Sequence, residues 1–227
     1  MTLSVIVPLA PGEMAWRGLL DELSLALPDG AEVVLVSAGE PLARPDRWPD
    51  RLTFEIAISR PGRAVQMNHG AQRARGEWLW FLHADSQMSN DAVPKLLRFI
   101  ARGEAALGWF DLAFLPDGPR LMWLNALGAN LRSRWLGLPF GDQGFVLPAS
   151  TFAALGGFDD TARAGEDHLF VWTARRAGIP LRRIDARLAT SARKYRAHGW
   201  WTVTRLHLRL TATQARAARR NTMSDRA

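Results

Sequence analysis

The sequence predicts an α/β fold, a mostly parallel sheet flanked by helices in a single domain. Three observations carry that expectation. A strand–helix–strand run fills residues 3–36, which implies a right-handed crossover and parallel pairing. Trp78 to Leu82 is a continuous apolar run with the length and bulk of a strand buried on both faces. That run stops at His83-Ala84-Asp85, delivering a carboxylate to the carboxyl edge of the sheet, where open α/β folds bind ligands.

Leu3 to Val7 is an apolar strand closed by Pro8, and Pro11-Gly12 opens a helix carrying Leu19, Leu20, Leu23 and Leu27 on one side. Glu32 to Val36 is a second buried strand, and the proline-rich stretch 38–50 is a loop before a third strand at Leu52 to Ile58. Pro61-Gly62-Arg63 opens a helix to about Arg75, stopped by Gly76. After Asp85, Ser89 or Asn90 caps a helix through Ile100, so Asp85 is not needed as a cap. Leu107 to Phe114 is a strand, and Arg120 to Trp135 a helix with Leu121, Leu124, Leu127 and Leu131 on one face. A short strand, Phe145 to Leu147, and a short helix ending at Gly156-Gly157 follow. Next come a helix over 168–177 and a strand over 181–189. Val203, Leu206, Leu210, Thr213 and Ala217 then form a helical stripe opposite Arg205, Arg209, Arg216 and Arg220. The expectation is one domain over 1–220, with a basic amphipathic helix at about 199–219 and a disordered tail at 221–227.

The composition is ordinary for a globular protein, with 48% apolar and 22% charged residues. There is no cysteine, which excludes disulfides, thiolate metal sites and cysteine nucleophiles. No apolar run reaches membrane-spanning length, and Met-Thr-Leu-Ser-Val-Ile-Val-Pro reads as a strand and not as a signal peptide. A cytoplasmic protein is expected. The net charge of +7 is almost all arginine, since Lys95 and Lys194 are the only lysines. It favours anionic partners such as nucleotides, nucleic acid or acidic headgroups. Arginine is densest after Arg175, where peripheral contact with the inner face of a membrane is a subsidiary expectation.

Four clusters fall at the ends of apolar elements. Asp85 supplies a hard oxygen of the kind a diphosphate-bridging cation takes; the same residue also fits an exposed loop. Arg63, at a helix start with Gln66 and Asn68 behind it, suits an anion, although plain solvated residues explain them as well. Gly141-Asp142-Gln143-Gly144 lets a ligand approach closely or makes a tight turn. Glu166-Asp167 opens a helix whose dipole favours carboxylates, and either is placed to act as a general base.

The order of these motifs resembles the family 2 glycosyltransferases of GT-A fold. It rests on Pro8, the run 76–85, Gly-Gly-Phe-Asp at 156–159 and Glu-Asp at 166–167. More narrowly, 61–71, 81–85, 108–111, 141–144 and 190–195 resemble a small branch labelled arsenosugar-biosynthesis or radical-SAM/selenodomain-associated transferases. The resemblance implies a GT-A, Rossmann-like sheet. It also implies a metal-dependent inverting transfer of a sugar from a nucleotide-sugar to a small-molecule or lipid-linked acceptor, with no nucleic acid involved. Asp85 would ligate Mg²⁺ or Mn²⁺, with His198 as a further metal ligand. Asp167 would be the base, with Glu166 its neighbour. Pro8, Ser37, Arg63, Asn68, His83, Asp142 and Gln143 would contact donor or acceptor.

Two departures mark the chain. Ser37 stands where the family recognises the nucleobase with Asp, and His83 replaces the first Asp of Asp-x-Asp. Two rival readings follow: a catalytically silent nucleotide- or sugar-binding homologue, and a nucleotidyltransferase. The second would normally carry a basic, glycine-rich loop after the first strand, whereas residues 9–14 hold one glycine and no Arg or Lys.

Overall fold

Among the described residues the sheet has eight strands, and six of them run the same way. The computed structural model describes residues 2–45, 48–162 and 164–205. The strands are β1 (Leu3–Leu9), β2 (Glu32–Ala38), β3 (Thr53–Ser59), β4 (Trp78–Phe81), β5 (Gln87–Met88), β6 (Leu107–Phe114), β7 (Phe145–Pro148) and β8 (Leu181–Thr190). Their spatial order is β3-β2-β1-β4-β7-β6-β8-β5. β1, β2, β3 and β4 are mutually parallel, β6 and β8 pair in parallel, and only β7 and β5 run antiparallel. The carboxyl ends of all six like-directed strands therefore share one edge, and the amino end of β7 joins them there.

The helices are α1 (Trp16–Ala26), α2 (Arg63–Arg73), α3 (Ala92–Ile100), α4 (Met122–Leu136), α5 (Ala149–Ala154), α6 (Glu166–Arg176) and α7 (Arg193–His198). Residues 200–205 are again helical. The rest of the expected 199–219 helix and the 221–227 tail lie outside the described residues. Side chains alternate across the sheet, so its two faces bury separate cores. One packs Val5, Leu35, Trp80 and Phe110 against Trp16, Leu23 and Leu96 of α1 and α3. The other packs Ile6, Val34, Phe81 and Phe145 against Met67, Phe152 and Phe170 of α2, α5 and α6. Gly70 is required on α2, since a Cβ there would sit 2.5 Å from Ile6 and 2.9 Å from Val36.

Several expectations shift in detail. Pro8 lies inside β1 and does not end it. Pairing with β4 stops at Ile6–Phe81, and Ile6 C=O accepts from Leu82 N–H at 3.0 Å. Pro8, two residues on, faces the same side beyond the last bond, so its missing N–H costs no ladder bond. The two-residue β5 carries no periodic signal and escapes the sequence. The cap position of α3 is Asp91, held by Ser89 Oγ at 2.7 Å and Lys95 at 2.6 Å. The largest difference is in α4. Its buried residues are Met122, Ala129 and Ser133, while Leu121, Leu124, Leu127 and Leu131, the face marked by the leucine periodicity, are exposed.

Candidate functional site

At the carboxyl edge of the sheet, five of the predicted residues, Pro8, Arg63, His83, Asp85 and Asp142, line two recesses. The first is a cleft of about 350 Å³ lined by Pro8, Glu13, Arg63, Gln66, His83 and Asp85, among others. It opens where β1, β2 and β4 end and the chain enters α2. Gln66, buried within α2, donates both amide hydrogens, to Leu9 C=O and Val36 C=O, each at 2.7 Å. These are the carbonyls at the ends of β1 and β2, and each bond contributes about 1 kcal/mol net. Gln66 therefore fixes the cleft floor.

Asp85 sits half-buried past β4 and accepts from Thr190 Oγ1 at 3.1 Å, which ties it to the end of β8. Burial pushes its carboxyl above the usual range, against the Thr190 bond and the nearby Arg193 charge; Glu13 adds a second negative charge. His83 is engaged by Arg63. Its Nε2 lies 2.5 Å from Arg63 Nη2. A guanidinium only donates, so Nε2 is the acceptor and the ring is neutral with its proton on Nδ1. Burial, then the Arg63 charge, lowers the His83 pKa to about 3.

Arg63 connects this cleft to the start of α6. Its Nε is 3.5 Å from Glu166 Oε1 and its Nη2 is 4.0 Å from Asp167 Oδ2. Asp167 accepts from Gly141 N–H at 2.6 Å and His168 N–H at 2.8 Å. Burial opposes its charge, but the Arg63 guanidinium and the two amides win and hold the carboxyl below its ordinary value. Gly141 is indispensable here. A Cβ would meet Arg63 Nη2 at 2.2 Å and Asp167 Oδ2 at 3.1 Å.

The second recess is a chamber of about 430 Å³, walled by Leu112, Phe114, Leu124, Tyr195 and Trp200, with Arg132 and Asp142 at its inner end. Asp142 Oδ1 is fully occluded and has no hydrogen-bond partner. Burial and the neighbouring Asp167 charge raise its pKa to about 6, although Arg132 and Arg63 pull the other way. Arg132 lies with its guanidinium carbon 3.4 Å from the centroid of Phe140 and donates from Nε to Leu138 C=O at 2.8 Å. Sequence reading missed Arg132, which nothing distinguishes from the other arginines of α4. It also missed Thr190 and Tyr195 as single residues, though both lie in the quoted 190–195 segment.

Three predicted contact residues are engaged within the protein. Gln143 is fully buried. It accepts from Ser133 Oγ at 2.7 Å and Phe140 N–H at 3.0 Å, and donates to Phe110 C=O at 3.0 Å. It anchors the 3-10 turn Gly141–Gln143 from beneath. Asn68 forms a reciprocal pair with the Phe158 backbone, at 2.8 and 2.9 Å. That pair seats Phe158 in the core under the Gly156-Gly157 turn. Ser37 is buried at the end of β2 and donates to Glu40 C=O. The His198 side chain lies outside the described residues.

A cleft lined by only two carboxylates among the described residues, Asp85 and Glu13, suits a hard cation that keeps its waters and takes its other ligands from a phosphate-bearing substrate, as Mg²⁺ does. Among the described residues no cluster of three His, Asp or Glu forms a self-sufficient metal site.

The sequence profile of glycosyl transferase family 2 matches residues 50–153. The match takes in Arg63, Asn68, His83, Asp85, Asp142 and Gln143, and stops before α6. Solved structures of S. aureus TarS extend the likeness over most of the chain. TarS 1-349 in complex with UDP-GlcNAc superposes with a TM-score of 0.61 at 16% identity, covering 84% of this chain and 58% of that one. The complex with UDP gives 0.58 at 15%, covering 85% and 61%, and the structure of TarS gives 0.55 at 15%, covering 85% and 35%. This chain thus spans little more than half the length of TarS 1-349. At these identities the likeness is one of fold, and that fold is GT-A. No curated protein matches the chain. No helix among the described residues is long and apolar enough to cross a membrane.

Proposed function

We propose that this chain is a metal-assisted, inverting glycosyltransferase that moves a sugar from a nucleotide-sugar to an acceptor hydroxyl. One observation carries the reading. Asp85, Arg63 and Asp167 converge at the ligand edge of a GT-A sheet, with Arg63 bridging the cleft of Asp85 and the carboxylate of Asp167. The family 2 match to residues 50–153 and the fold shared with TarS, solved with UDP-GlcNAc and with UDP, support it.

In this reading the donor diphosphate occupies the first cleft. Asp85 would hold Mg²⁺ or Mn²⁺, and that ion would supply counter-charge for a leaving nucleoside diphosphate. Arg63 orients the diphosphate and keeps Asp167 ionised. Asp167 takes the proton of the acceptor hydroxyl, the acceptor oxygen bonds to the anomeric carbon from the opposite face, and the bond to the diphosphate breaks with inversion. The chamber beside Asp142 receives the acceptor.

A second assignment of the base is favoured by one observation. Asp142 has an unpartnered oxygen and a pKa of about 6, nearer to a working pH than the depressed Asp167. Asparagine at each position separates the two. Loss of transfer with donor binding intact in Asp167→Asn, and residual transfer in Asp142→Asn, fits Asp167; the reverse assigns the proton to Asp142.

The reading as a whole is tested by calorimetry of nucleotide-sugars with and without Mn²⁺, on the wild type and Asp85→Ala. The expected result is metal-dependent binding that the variant loses. Binding by neither protein would remove the donor site, and donor binding without turnover of any acceptor would favour the silent homologue.

A further inference from the structure

The solvent side of α4 is the least expected surface of the molecule. Trp123, Leu127, Leu131 and Trp135 recur every fourth residue, so they form one line along the helix, with Leu124 beside it. The line is about 18 Å long at 1.5 Å per residue. Trp123 is 62% exposed, Leu127 48% and Trp135 79%, whereas Met122, Ala129 and Ser133 on the opposite side are buried. An apolar stripe of this size facing water marks an interaction surface.

The neighbouring chain continues the same character. Asn125 of α4 donates to Thr204 Oγ1 at 3.0 Å and accepts from Trp200 Nε1 at 2.8 Å. Met122 also packs with Ala192, Tyr195 and Val203. The segment so docked carries Trp201, 70% exposed. Stretches 118–141 and 186–205 contain no Asp or Glu; Arg120, Lys194, Arg196 and Arg205 are exposed, whereas Arg134 is paired with Asp111 at 2.6 Å.

We infer that the outward face of α4 and the adjoining 193–205 segment dock on an anionic lipid bilayer. Leucines between two terminal tryptophans suit the boundary between acyl chains and headgroups, where the amphipathic indole is favoured. Arg120, Lys194, Arg196 and Arg205, exposed on stretches that carry no Asp or Glu, find their counter-charge in acidic headgroups. A second copy of the chain would instead set one cationic rim against another, which opposes self-pairing. One consequence rests on the transfer reading. The chamber that ends at Asp142 is walled by Leu124, Tyr195 and Trp200, so docking brings it to the membrane, where a lipid-borne acceptor enters.

Flotation of the full chain with phosphatidylcholine vesicles, with and without phosphatidylglycerol, tests the docking apart from any transfer. The expected result is flotation with the anionic vesicles that weakens with salt. It falls about tenfold or more in Leu127→Glu/Leu131→Glu as apolar insertion is lost. Trp135→Ala serves as the milder second variant, and circular dichroism checks that each folds. Absence of flotation at low salt, or equal flotation of the folded variants, would overturn the inference. A wild-type dimer that Leu127→Glu/Leu131→Glu converts to monomer, without vesicle binding, would give the face to a second copy. Donor binding in calorimetry is untouched by these outcomes, so failure here is distinguishable from failure of the transfer reading.

Discussion

Arg63 Nη2 lies 2.5 Å from His83 Nε2, so the histidine of the His-Ala-Asp triplet is occupied by a guanidinium and Asp85 is left as the triplet's carboxylate in the cleft. The same guanidinium reaches Glu166 and Asp167. One side chain on α2 thereby couples the end of β4 to the start of α6, two elements far apart in sequence.

Replacing that side chain tests the coupling. In Arg63→Met, Asp167 loses its nearest cation and its carboxyl rises toward the ordinary range. The acidic limb of the rate–pH profile should then move to higher pH. Donor affinity should fall about 10–100-fold, the range for losing a charged hydrogen bond. Calorimetry and initial rates across pH measure both effects; an unmoved limb would detach Arg63 from the base.

The two shifted groups give opposite slopes to stability against pH. Folded His83 refuses a proton until about pH 3, whereas its unfolded form accepts one at about 6.5. Its contribution is therefore present above about pH 6.5 and is lost as pH falls toward 3. Folded Asp142 holds its proton to about pH 6 against an unfolded 3.8. Its contribution is full below about pH 4 and is lost as pH rises through 6. Asp142→Asn should thus stabilise the protein at pH 8, by about 1–3 kcal/mol, with little change at pH 4. Denaturant melts at the two pH values check this, and equal changes at both would show that Asp142 does not titrate as described.

Gly141→Ala should be far more damaging than its size suggests. The added methyl meets Arg63 Nη2 at 2.2 Å, so the guanidinium must leave His83 and Asp167. Transfer should drop at least about tenfold while the melting temperature changes little, because a long side chain and not the core gives way. A variant with normal transfer would show that the Arg63 bridge is dispensable.

Gln143→Ala should behave in the opposite way. It strips a partner from Phe140 N–H and from Phe110 C=O, groups that each cost about 1–3 kcal/mol unpaired, while Ser133 Oγ keeps its bond to Ala129 C=O at 2.8 Å. A loss of about 2–4 kcal/mol is expected, read as a fall in melting temperature of roughly 5–15 °C. A loss under about 1 kcal/mol would point to water replacing the amide.

The fold was largely legible because periodicity is local. The Leu107–Phe114 strand is matched by β6, and Trp78–Leu82 by β4 with its carboxyl-edge Asp85. Of the site, the positions at strand ends and helix starts were legible, since a carboxylate after a buried strand has few places to go. The partners of those residues were not. Gln66 and Asn68 read as polar residues of a helix and Gln143 as part of a glycine-flanked loop, yet each satisfies backbone groups from a distant part of the chain. Arg132 was invisible because its role depends on Phe140 and Asp142 folding back onto α4.

Helix α4 separates the two kinds of information most clearly. By itself the sequence determined that residues near 120–135 form a helix with leucines on one side, because side-chain spacing and helix propensity are properties of neighbouring residues. Only the tertiary structure decided that this side faces outward. The sheet beneath takes the small side chains Ala129 and Ser133, and Asn130 pairs with the Leu112 backbone at 2.8 and 3.0 Å. Close approach to β6 favours small and hydrogen-bonding residues on the inner face, which leaves the bulky apolar ones to the outside.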